Sequence, residues 1–126
     1  MSVRNLLLVG AGGFVGSVVR YIVALAVPFS GTGFPFATFT VNLLGSFLIG
    51  LLSELAVSTT LVSPEMRLLL ATGFCGGFTT FSSFMYENSA LIQDGQVLYM
   101  ALYLAGSVAG GFLALYTGMA TAKLWS

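Results

Sequence analysis

Asn42, Thr38, Thr79, Thr80, Ser82, Ser83, Tyr99 and Tyr103 are uncharged hydrogen-bonding side chains set in long apolar runs. Phe81 and Phe84 are interleaved with the hydroxyls in the stretch "TGFCGGFTTFSSF", residues 72–84. Amide N–H and hydroxyl groups can replace the water that hydrates a small anion. The ring edge of phenylalanine is the positive part of its quadrupole and also suits an anion. A fixed cation deep in such a path would hold the anion too firmly, whereas neutral donors release it, as conduction requires. A plainer reading stands beside this one. Ser, Thr and Gly populate ordinary contacts between membrane helices, and Phe81 and Phe84 serve equally as core packing. Asn42 differs, because a mid-span amide must find partners in hydrocarbon.

The charged residues narrow the field. Glu54, Glu65, Arg67, Glu87, Asp94 and Lys123 are expected at span ends or in connections, so no carboxylate is expected mid-span, where a proton-coupled transporter would carry one. Arg20 alone is expected inside. It can snorkel to an aqueous entrance and concentrate anions there, or simply anchor the structure. Four Lys/Arg balance four Asp/Glu, and no polybasic segment speaks for nucleic acid or anionic lipid. There is no His, and the single Cys75 cannot form an intrachain disulfide; it reads as a small buried thiol.

These residues must be positioned by membrane helices. The chain has 126 residues, 57% hydrophobic and only 6% charged. A water-soluble domain carries about a quarter charged residues, so this chain cannot cover its surface in water. Spans of about 20 apolar residues are needed to cross hydrocarbon, and four fit: 5–27, 36–53, 68–92 and 97–122. The expected fold is one all-α transmembrane domain over residues 1–126. Arg4 before an apolar run resembles a secretory leader, but the run continues to Pro28 and reads better as a span. Along the second span Thr38, Asn42, Ser46 and Ser53 form a stripe, with Thr40 off it. On the fourth, Tyr99, Tyr103, Ser107 and Gly111 recur every four residues.

Glycines shape two of the spans. Gly10, Gly12 and Gly16 mimic a dinucleotide fingerprint, but no strand, crossover helix or ribose-binding acid accompanies them. Gly12, Gly16 and Arg20, four apart, instead mark one helical face that another helix approaches closely. Gly76-Gly77 in the third span loosens the helix at mid-membrane depth, where freed backbone groups must be satisfied by the protein. Arg4, Arg67 and Lys123 fall on one side and Arg20 near the other, which weakly places both termini in the cytoplasm.

The motifs "GAGGFVGSVVR" (10–20), "FTVNLLGSFLIG" (39–50) and "TGFCGGFTTFSSF" occur in the order and spacing of one family. Across essentially the whole chain, the sequence resembles the Fluc/CrcB fluoride channels. The resemblance implies a non-enzymatic, passive fluoride channel of the bacterial inner membrane, relieving fluoride toxicity by export. It implies an antiparallel, dual-topology homodimer of four-helix subunits with the third helix broken near its centre and two pores per dimer. Pore positions match Asn42, Phe81, Phe84, Thr40, Thr80, Ser82, Ser83 and Tyr103, and the vestibule arginine matches Arg20. The family's structural sodium ion, held at the dimer axis by backbone carbonyls, matches Gly76 and Thr79. Two other classes share the gross features: a small dual-topology multidrug exporter, which needs an embedded carboxylate that the first span lacks, and a non-transporting assembly subunit.

Overall fold

The computed structural model describes residues 2–125, and they are all-helical apart from short connections. Four helices are long and apolar enough to cross a membrane: Val3–Ala26, Phe36–Ser58, Pro64–Gln93 and Val97–Trp125. We number them first to fourth. Hydrocarbon offers no partner to a backbone N–H or C=O, so apolar runs of this length close their hydrogen bonds internally as helices.

Two boundaries differ from the expected ones. The second helix runs past Ser53 to Ser58. Glu54 lies inside it, and its carboxylate accepts the Ser58 hydroxyl, one turn on, at 2.8 Å. The third helix begins at Pro64 rather than at residue 68. The Ser63 hydroxyl accepts the Met66 N–H at 3.1 Å, Pro64 takes the first helical position and Glu65 lies in the first turn; all three favour a helix start. At the far end Gly95 adopts φ +75°. This left-handed conformation lets Gln96 N–H close on Leu91 O at 2.8 Å and Gly95 N–H on Ile92 O at 3.0 Å, a closure that glycine permits without a Cβ penalty. The Gln96 side chain then accepts Gly33 N–H at 2.6 Å, tying the 94–96 turn to the loop before the second helix.

The second helix packs chiefly on the fourth, and the first on the beginning of the third. Glycine makes both contacts possible. A Cβ on Gly12 would collide with Leu69 O, and one on Gly16 with Phe74 O. Gly50 against Leu115 O and Gly118 against Phe47 O do the same between the second and fourth helices. The expected close-approach face of Gly12 and Gly16 is therefore present. It receives the third helix.

The third helix is not uniform. An α-helical turn, Pro64–Arg67, leads into a π-helical segment, Leu68–Cys75, and a last α-turn, Gly76–Phe78; the helix then breaks and resumes at Ser82–Gln93. The break falls three residues later than the glycine pair suggested. Gly76 stays helical, with φ −61° and ψ −37°, while Thr79 is extended, with φ −91° and ψ 160°. Gly77 serves packing instead: a Cβ there would collide with Gly13 O and meet Ser17 Oγ at 2.9 Å. Gly76 has nothing within 4 Å of a Cβ and faces open space. Beyond the break the resumed helix packs on the fourth.

Candidate functional site

The break frees backbone groups in the middle of a span, and side chains from the first two helices satisfy several of them. In an uninterrupted helix Thr80 N–H would donate to Gly76 O. Here it donates to Asn42 Oδ1 at 2.8 Å, and Asn42 Nδ2 donates back to Thr80 O at 3.0 Å. Arg20 Nε donates to Gly77 O at 3.0 Å. Thr79 N–H and Oγ1 both donate to Cys75 O, at 3.0 and 2.8 Å. Thr80 Oγ1 accepts Ser83 N–H at 3.2 Å, capping the resumed helix, and lies 3.4 Å from Ser82 Oγ. The mid-span amide thus has the partners it needed, and the arginine is anchored at the same break.

A groove of about 670 Å³ runs along this break, with Asn42, Ser46, Thr80, Phe81, Phe84 and Ser107 in its walls. Phe81 is 72% exposed and Phe84 only 7%, with their ring centroids 6.2 Å apart. Phe84 meets Tyr103 edge-on at 4.7 Å, and Tyr103 is fully buried. Ser107 Oγ is buried without a hydrogen-bond partner among the described residues. The structure therefore brings Asn42, Thr80, Phe81 and Phe84 to one groove, with Ser82, Ser83 and Tyr103 adjoining them. It does not bring Thr40 there. Thr40 is exposed, and its neighbour Thr38 is the threonine turned inward.

Thr38 leads to a residue that the sequence reading misplaced. Glu87 is not at a span end; it lies within the resumed part of the third helix and is half-buried. Its carboxylate accepts Tyr103 O–H and Thr38 O–H, each at 2.7 Å. Gln93, the last residue of this helix, lies six positions beyond Glu87. The helix axis rises about 1.5 Å per residue, which sets Glu87 about 9 Å inside that end. The available signal was its spacing of three from Phe84, which puts both on one helical face.

The carbonyls matched to a sodium site lie at the break itself. The amide that would have closed on Gly76 O is taken by Asn42, and the extended conformation of Thr79 turns its carbonyl out of helical register. Gly76 and Thr79 both line the open groove. Oxygen donors freed from helical bonding and facing an open side fit a hard monovalent cation.

Polar groups from all four spans thus converge on an interrupted helix in a small multi-pass membrane protein. A known family fits that description: residues 7–119 match the one described as "CrcB-like protein, Camphor Resistance (CrcB)", and the chain belongs to it. The chain is 72% identical over 125 residues to the fluoride-specific ion channel FluC of Chlorobaculum tepidum, covering 99% of each chain. It is 68% identical over 122 residues to FluC of Chlorobium luteolum, covering 97% of this chain and 95% of that one. To FluC of Rhizobium meliloti it is 46% identical over 118 residues, covering 93% and 94%.

Proposed function

We propose that this chain is a fluoride-selective channel that passes fluoride passively down its electrochemical gradient. The observation that carries the reading is the reciprocal pair between Asn42 and the Thr80 backbone, which holds the third helix open beside Phe81 and Phe84. Relatives of nearly the same length named as fluoride-specific channels support it. In this reading Phe81 and Phe84 present ring edges to the ion. Asn42, Thr80, Ser82, Ser83 and Tyr103 offer N–H and O–H donors, and Arg20 supplies positive potential at an entrance. Thr40, exposed on the single chain, joins the hydroxyl set on a face that a second copy completes.

The proposed assembly is an antiparallel homodimer inserted both ways in a bacterial inner membrane. Gly76, open to its surroundings, lies at the twofold axis, where an isologous contact presents each carbonyl twice. The Gly76 and Thr79 carbonyls would hold a sodium ion there, which would supply positive charge to the backbone oxygens freed by the break. Outward flow of fluoride would then lower its cytoplasmic concentration and confer resistance.

The deciding experiment is efflux from liposomes containing the purified protein, followed with fluoride and chloride electrodes in parallel. Rapid fluoride release with chloride retained is expected. Dimeric protein that releases neither ion, or both at equal rates, would overturn the reading.

A further inference from the structure

A second groove lies beside the π-helical segment and shares no lining residue with the first. It lies between the end of the second helix and the start of the third, has a volume of about 590 Å³, and is walled by Ala56, Val62, Ser63, Arg67, Leu68 and Thr72. A 3.6-residue period would set residues five apart roughly 140° from each other around a helix. The wider i→i+5 turn that begins at Leu68 lets Arg67 and Thr72 line the same groove. The second helix ends at Ser58 and the third begins at Pro64, so the groove lies at the boundary between these two spans.

Charge at this boundary is unevenly compensated. Arg4 is paired with Glu65 at 3.2 Å. Arg67 is exposed, and its guanidinium makes no ion pair or hydrogen bond among the described residues. A guanidinium matches the oxygens of a phosphodiester in two-point geometry, and Ala56, Val62 and Leu68 offer apolar walls below it.

We propose that this groove is a binding site for an anionic phospholipid. Arg67 holds the headgroup phosphate, the Ser63 and Thr72 hydroxyls lie within the groove beside it, and the upper acyl chain rests on the apolar walls. A net negative headgroup is preferred because a zwitterionic one brings its own cation to the uncompensated arginine. The assignment is independent of the channel reading, since it concerns another groove and is read by lipid retention rather than ion flux.

The test is native mass spectrometry of the full chain in neutral detergent with equimolar phosphatidylglycerol and phosphatidylcholine. Retention of phosphatidylglycerol about tenfold or more over phosphatidylcholine is expected, falling to near parity in Arg67→Gln and partly kept in Arg67→Lys. Arg4→Gln, which removes a charge at the same boundary, is expected to keep the preference. Ala56→Leu narrows the groove without touching any charge and should lower retention. Parity in the wild type, undiminished preference in Arg67→Gln, equal loss in Arg4→Gln, or unchanged retention in Ala56→Leu would each overturn the site.

Discussion

Asn42 and Thr80 hold each other through two hydrogen bonds of 2.8 and 3.0 Å, one in each direction. The side-chain amide of one helix thereby does for the break in another what a peptide group would do in an unbroken helix. Both atoms of the amide are used, so no isosteric carboxylate can replace it.

Asn42→Asp replaces the Nδ2 donor with an oxygen and leaves Thr80 O facing it. An unsatisfied buried group costs about 1–3 kcal/mol, and 1.4 kcal/mol is a factor of about ten in an equilibrium. We expect fluoride flux to fall at least about tenfold while the protein still elutes as the wild type does. Efflux and gel filtration of one preparation check both halves. Normal flux would remove Asn42 from the pore assignment.

The two phenylalanines should separate packing from transport. Phe84 is buried against Tyr103, and an aromatic pair of that kind is worth about 0.5–1.5 kcal/mol beyond its buried area. Phe84→Ile is expected to lower the melting temperature and the flux together. Phe81 is largely exposed, so Phe81→Ile should change stability by no more than about 0.5 kcal/mol yet strongly reduce flux. If Phe81→Ile conducts normally, that ring is only surface.

Gly76 and Gly77, adjacent in sequence, should respond oppositely to bulk. Gly77→Val drives a side chain into Gly13 O, and folded protein should be lost from the detergent extract. Gly76→Val meets nothing in its own chain; the subunit should fold but elute as a monomer if that face meets a second copy. A dimer unaffected by Gly76→Val would place the twofold axis elsewhere.

Tyr103→Phe removes one of the two hydroxyls that Glu87 accepts. Hydrogen bonds to charged groups contribute about 1.5–3 kcal/mol, so we expect a lower melting temperature. In the Glu87→Gln background, where the acceptor is neutral, the same substitution should cost clearly less. Equal losses in both backgrounds would show that the Tyr103 ring, not its hydroxyl, carries the stability.

How much of this was legible in the sequence depends on whether the cause was local. The close-approach face of the first helix could be read because a four-residue repeat of small side chains implies it, and Gly12 and Gly16 do meet the third helix. The stripe through Thr38 and Asn42, with Thr40 off it, is likewise helical arithmetic, and the structure turns Thr38 inward and Thr40 outward. Glu87 was misplaced because its partners, Thr38 and Tyr103, come from two other helices. The displacement of the break from Gly76-Gly77 to Thr79 depends on Asn42 and Arg20, both distant in sequence. Nothing in "LLLATGFC" announces a π-helix, since its residues suit an α-helix equally well.

The anchors of the break carry a consequence for biogenesis. Asn42 and Arg20 belong to the second and first helices, which leave the ribosome before the third does. By the time the third span enters the bilayer, its two clamps are already threaded and waiting. The same span presented alone would lack both partners and should insert as a plain rod. Chain order thus works as an assembly schedule: the interrupted helix is born last among the three parts that interrupt it, so its vulnerable carbonyls need spend little time exposed to lipid.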